Sequence, residues 1–138
     1  MKVHLYFFGK PRDAHVNAIA EDYLRRISHY AKSEMTELRA RSDPWTKHPS
    51  AYTICLDPAG QRLDSAAFTA LVQRIELEAR DLVFIVGGAD GLPPSWGARA
   101  NLLLSLSPMT YPHELARAML AEQIYRAFTT LRGHPYPR

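Results

Sequence analysis

Leu82-Val83-Phe84-Ile85-Val86-Gly87-Gly88-Ala89-Asp90-Gly91-Leu92 is the stretch that decides the fold. Its first five residues are apolar without interruption, the pattern of a strand buried on both faces. Such a strand needs crossover helices for cover, and helical patterns flank it on either side. The expected fold class is therefore α/β: a mostly parallel sheet flanked by helices, in a single domain spanning residues 1–138. The three glycines fall just beyond the carboxyl end of the strand, where open α/β sheets bind ligands. Lacking a β-carbon, glycine lets the backbone turn sharply and approach a ligand closely. A plain turn between strand and helix is the other reading of the same residues.

Upstream, Val3 to Phe8 reads as a first strand stopped by Gly9-Lys10-Pro11. Val16, Ile19, Ala20, Tyr23, Leu24 and Ile27 then recur at three- and four-residue steps, which predicts an amphipathic helix. Glu34 to Arg39 reads as a short strand. Ala40 to Ser50 is polar, is broken by Pro44 and Pro49, and reads as a linker. Ala51 to Leu56 resumes as a strand, and Asp64 is placed to cap a helix carrying Phe68, Leu71, Val72 and Ile75. Downstream of the glycines come a short helix near Pro94 to Ala100, a strand from Leu102 to Leu106, and a long helix from His113 to Leu131 ended by Gly133 and Pro135.

In that last helix Ala116, Met119, Leu120, Ile124, Ala127 and Leu131 form one apolar stripe, while Leu115, Ala118 and Ala121 lie outside it. A second apolar face calls for a second partner. A 138-residue domain has little room to surround such a helix, so a symmetric homodimer seam through the C-terminal helix is the favoured reading.

Composition narrows the classes. With 46% hydrophobic and 22% charged residues the chain is an ordinary globular one. The formal charge of +3 permits a polyanionic partner without requiring one. The single cysteine, Cys55, has no internal partner and reads as a buried strand residue in a reducing cytoplasm. The apolar start meets Lys10, Arg12 and Asp13 at once, so no signal-peptide core forms, and no apolar run has the ~20 residues of a membrane span.

The glycine turn does not follow G-x-G-x-x-G, and no G-K-S/T phosphate loop is present, which weighs against an NAD- or ATP-binding enzyme. A second segment supports a ligand site. Leu104-Ser105-Leu106-Ser107-Pro108-Met109-Thr110-Tyr111-Pro112-His113-Glu114 is a strand end, a loop of small polar residues and an aromatic, and a helix start. Such a loop offers backbone donors and acceptors to an adenine edge and apolar side chains to its faces. The structural alternative is a capping loop, with Thr110 as the cap.

Taken in order, these loops, the run Ala116-Arg117 to Glu122-Gln123-Ile124-Tyr125-Arg126-Ala127, and Gly133-His134-Pro135-Tyr136 resemble the RlmH family. These are minimal SPOUT-superfamily enzymes that methylate N3 of a pseudouridine in the intersubunit hairpin of 23S ribosomal RNA. The match runs from Leu82 to Tyr136 and extends more loosely to Gly9-Lys10, Tyr23-Leu24-Arg25-Arg26 and Leu56-Asp57. The resemblance implies a trefoil knot over approximately residues 80–138, a homodimer, and S-adenosylmethionine held in the knot; transfer from a sulfonium, which leaves as a neutral thioether, requires alignment and no metal. By position it places cofactor contacts at Leu56, Gly87, Leu106, Ser107, Pro108, Met109, Thr110 and Tyr111. It places Arg117, Glu122, Tyr125, Arg126, His134 and Tyr136 where substrate RNA is thought to lie.

The imide nitrogen of a uridine-type base carries a weakly acidic proton that must be removed, or its anion stabilised, before methylation. His113, His134 and Glu122 are candidates for proton handling. Arg117, Arg126, Arg132 and Arg138 are candidates for phosphate or developing-anion contacts, and Tyr136 for stacking on a base. Glu122 and Arg126 also read as an ordinary i,i+4 pair worth ~0.3 kcal/mol, and the tail as a solvated terminus. Two departures from the family stand out: Pro137 replaces the second histidine of its usual His-Pro-Tyr-His tail, and residues 40–50 are shorter than its lysine-rich connection. They motivate a second expectation, a ribosome-binding or assembly factor that keeps the fold but has lost turnover.

Overall fold

The computed structural model describes residues 1–39 and 41–136. Five strands, β1 (Lys2–Phe7), β2 (Lys32–Glu37), β3 (Tyr52–Arg62), β4 (Leu82–Val86) and β5 (Leu102–Ser105), form one sheet in the order β2-β1-β4-β3-β5. Every pairing is parallel. Between the strands run α1 (Ala14–Ile27), α2 (Pro44–Lys47), α3 (Ser65–Leu77) and α4 (Pro94–Arg99), and α5 (His113–Leu131) closes the order.

The apolar run is the centre of the sheet, as expected: β4 lies between β1 and β3, and none of its residues is more than 3% exposed. Side chains alternate across the strands. Val3, Leu5, Phe7, Leu82, Phe84 and Val86 pack beneath α1, α3 and α5. Tyr6, Val83, Ile85 and Cys55 point the other way, toward Trp45 of α2 and Trp96 of α4. Burial pushes the Cys55 thiol up to about 12, so it stays protonated and inert at neutral pH.

Several boundaries differ from expectation for local reasons. β2 begins at Lys32, where it pairs with Lys2. β3 continues past Leu56 to Arg62 because Leu56 and Gln61 both pair with Leu104, the residues between forming a bulge. At Gly60 a β-carbon would lie 2.7 Å from the Leu103 backbone, so glycine alone fits that close approach. The presumed linker contains α2, with Pro44 in its first turn and Asp43 accepting from the Trp45 and Thr46 amides at 2.9 and 3.3 Å.

Helix faces also shift. Ile19 is 50% exposed, so it leaves the expected core face of α1. On α5, Met119 leaves the predicted stripe and is 40% exposed, while Ala118 and Ala121 are buried within the chain's own core. The outward apolar residues of α5 are therefore Leu115 and Met119. Its cap is Pro112 without a side-chain bond, so Thr110 is not the cap; Asp64 does cap α3, accepting from the Ala67 amide at 2.7 Å.

Candidate active site

Beyond the carboxyl ends of β3, β4 and β5 lies a cavity of about 550 Å³, within the size range of small-molecule sites. The glycine turn forms one wall. A β-carbon at Gly87 would lie 2.7 Å from the Gly91 carbonyl carbon, and Gly91 itself has φ +75°, so both positions depend on glycine. The Gly91 amide closes the turn on the Gly88 carbonyl at 3.0 Å. The opposite wall is the β5–α5 loop, where Ser107 Oγ accepts from the Met109 amide at 3.0 Å. The β3 bulge completes the enclosure with Asp57 and Pro58, and the Pro58 carbonyl accepts from Ser105 Oγ at 3.0 Å.

Of the expected cofactor positions, Leu56, Gly87, Leu106, Ser107, Met109, Thr110 and Tyr111 line this cavity; Pro108 does not. His113 lines it too, and its Nε2 is 3.8 Å from where a Gly9 β-carbon would stand. The walls combine backbone amides and carbonyls with aliphatic and aromatic faces, which suits a heteroaromatic ring bearing polar edges.

Arg117 lies one turn along α5 but is buried, 1% exposed, with its guanidinium 3.9 Å from the centre of the Phe7 ring. Nη2 reaches Asn17 Oδ1 and Glu114 Oε2, each at 3.4 Å, while Nε and Nη1 have no partner among the described residues. Burial lowers its pKa, against the pull of Glu114 and Glu37.

The remaining candidates gather elsewhere. Glu122 accepts from Arg126 Nη2 at 2.7 Å and from the Tyr136 hydroxyl at 2.6 Å. Tyr136 folds back edge-on against Tyr125, and burial followed by the bond to Glu122 raises its pKa. His134 is exposed and its Nδ1 accepts from the Tyr136 amide at 3.1 Å. Arg132 donates to both carboxylate oxygens of Glu76, at 3.1 and 2.6 Å. Arg138 and Pro137 lie outside the described residues. The structure thus brings the expected cofactor positions other than Pro108 together with His113, and joins Glu122, Arg126 and Tyr136 in a separate network. Sequence reasoning missed Glu114, whose role rests on contacts to residues 12, 13 and 17 that no local pattern foretells.

The comparisons bear on this arrangement. The family model described as "Predicted SPOUT methyltransferase" matches residues 1–137. The "Ribosomal RNA large subunit methyltransferase H" of Solibacter usitatus is 66% identical over 139 residues, covering all of both chains. Its namesake in Sorangium cellulosum is 40% identical over 143 residues, with 99% of each chain covered. Among solved structures, the "Probable Methyltransferase from Bordetella pertussis Tohama I" superposes with a TM-score of 0.62 at 14% identity, covering 92% of this chain and 96% of that one. The "SpoU Methyltransferase AviRb from Streptomyces viridochromogenes in complex with the cofactor AdoMet" gives 0.54 at 8% identity, covering 91% and 57%. With residues 1–137 matched by the family model and its full length by a 66% identical relative, the chain belongs to the RlmH family of SPOUT methyltransferases.

Proposed function

We propose that this chain transfers a methyl group from S-adenosylmethionine to N3 of a pseudouridine in the intersubunit hairpin of 23S ribosomal RNA. The observation that carries this reading is the cavity, walled by a glycine turn and by a backbone-rich loop at neighbouring strand ends. Both features fit an adenosyl group: Gly87 and Gly91 keep β-carbons out of the turn, and Leu106, Thr110 and Tyr111 offer backbone and apolar surface. The ligand, when bound, supplies a methyl carbon made electrophilic by a sulfonium. The protein's own task is alignment and exclusion of water.

His113, at the cavity wall, is proposed to handle the imide proton. The buried guanidinium of Arg117 adds positive charge near β1 that favours a developing anion. Glu122, Tyr136 and His134 are proposed to border the base, and Arg126, Arg132 and Arg138 to meet phosphates. In the same reading the region of residues 80–138 is a trefoil knot. A second copy covers Leu115 and Met119 of α5, and the protein works on ribosomes in the cytoplasm.

The test is methyl transfer. Calorimetric titration should show one S-adenosylmethionine site per chain, and label from that donor should pass to ribosomes of a strain lacking the gene. Mass spectrometry of the nucleosides should then find N3-methylpseudouridine. Donor binding without transfer to any RNA would instead favour the assembly-factor reading, which Pro137 motivates.

A further inference from the structure

Glu114 sits in the first turn of α5 yet spends its carboxylate on another part of the chain. Its oxygens accept from the Arg12 amide at 3.3 and 3.1 Å and from the Asp13 amide at 3.1 Å. Oε2 also accepts from Asn17 Nδ2 and faces Arg117 Nη2 at 3.4 Å. The side chain is 13% exposed. Burial alone would raise its pKa, but the two amides, Asn17 and Arg117 together hold it below the usual carboxylate range. It is an ionised hub of four donors, three of them in the β1–α1 turn and the start of α1.

That turn forms part of the surroundings of the cavity. A β-carbon at Gly88, which lines the cavity, would come within 3.2 Å of the Phe8 carbonyl oxygen. A β-carbon at Gly9 would come within 3.8 Å of His113 Nε2. The turn therefore lies beside both the glycine loop and the histidine preceding Glu114. Between Gly9, with its φ of +90°, and Asp13, which caps α1, Lys10 to Arg12 belong to no helix or strand.

We infer that Glu114 is a positioning residue for methyl transfer: by pinning the β1–α1 turn to the first turn of α5, it fixes the lip of the cavity on which His113 stands. Glu114 itself does not line the cavity and acts through the turn and His113. The inference rests on the proposed methyl transfer. It predicts a larger effect on turnover than on donor binding, since the amides that Glu114 holds belong to Arg12 and Asp13, which do not line the cavity, whereas Gly87, Leu106, Ser107 and Tyr111 do.

The experiment uses the full chain, S-adenosylmethionine as the calorimetric probe, and ribosomes lacking the modification as acceptor. Glu114→Ala is expected to lower kcat about 10- to 100-fold at saturating donor, the range of a slightly misplaced group. The Kd for S-adenosylmethionine should change less than about threefold. Glu114→Gln keeps one acceptor oxygen, guards against a variant that fails to fold, and should recover part of kcat. A parallel loss of donor affinity, melting temperature and kcat in both variants would assign Glu114 a merely structural role and overturn the inference. So would unchanged kcat in Glu114→Ala. A wild-type chain that methylates no ribosomes would instead overturn the functional reading beneath it.

Discussion

On one face of the sheet, helices of 14, 13 and 19 residues roof a continuous aliphatic and aromatic core. On the other, helices of four and six residues share the cover with a polar chain of side chains. There His4 Nδ1 meets Glu34 Oε1 at 2.9 Å, the His4 and His48 rings lie 4.2 Å apart, and His48 Nε2 meets the Tyr6 hydroxyl at 2.5 Å. The difference teaches where stability resides. The thick face carries the larger apolar core, while the thin face, including the shortened segment before β3, combines a smaller one around Val83, Ile85 and Cys55 with polar groups that must be satisfied. The cavity opens at the strand ends, bounded by α5 from the thick face and by the glycine turn leading toward α4.

Truncating neighbours in β4 that point to opposite faces gives the largest expected effects. Phe84→Ala beneath α3 should cost about 3–5 kcal/mol, because its well-packed surroundings relax only partly around the cavity left behind. Ile85→Ala, facing the short helices, should fall near the low end of its class, about 2 kcal/mol, because those helices can settle into the space. Urea unfolding measures both. Equal costs would erase the distinction between the faces.

Gly87→Ala comes next, at the border of the two faces. The new methyl would meet the Gly91 backbone at 2.7 Å, so the turn must open. The expected cost is about 1–3 kcal/mol in stability, accompanied by at least a tenfold loss of S-adenosylmethionine affinity in calorimetry. Retained affinity would mean that the turn's shape is not what the donor requires.

The thin face should also carry a pH dependence of its own. Burial, then the facing His4, lowers the pKa of His48; Lys47 adds to this, while Asp81 and Glu34 oppose it. The folded value thus lies below the unfolded one, so the unfolded chain binds the proton more readily. The contribution is fully present above the ordinary imidazole pKa of ~6.5 and falls as pH drops through that value toward the lowered native one. Thermal melts of His48→Gln between pH 7.5 and 5 should show a flatter decline than wild type. Tyr6→Phe, which removes the hydroxyl partner, should cost about 0.5–1.5 kcal/mol at neutral pH.

What was legible in the sequence follows the same division. β4 and its glycine turn declare themselves because a strand covered on both faces has no polar position to obscure it. The limits of α5 are equally plain, marked by the proline before His113 and by Gly133 after Leu131. β3 misled because Asp57-Pro58-Ala59-Gly60 has the composition of a turn, and it is one, but set inside a strand as a bulge. α2 misled because Pro44 reads as a breaker when it stands in a helix's first turn. The expected cofactor positions were reached through family resemblance and all but Pro108 converge on one cavity, whereas the network of Glu122, Arg126 and Tyr136 depends on how the tail folds back.

Arg132 offers the smallest and subtlest test, because it belongs to the thick face in the free chain and to the RNA in the proposed complex. The Arg132 and Glu76 side chains remain 40% and 29% exposed, and exposed pairs are worth about 0–1 kcal/mol even when well aligned. Trading Glu76 for a phosphate would therefore cost the fold almost nothing. Arg132→Ala should lower stability by no more than about 1 kcal/mol while reducing the slope of log K against log salt for RNA binding by about 1. A slope left unchanged would return Arg132 wholly to the bond between α3 and the end of α5, and leave phosphate contact to Arg126 and the terminal arginine.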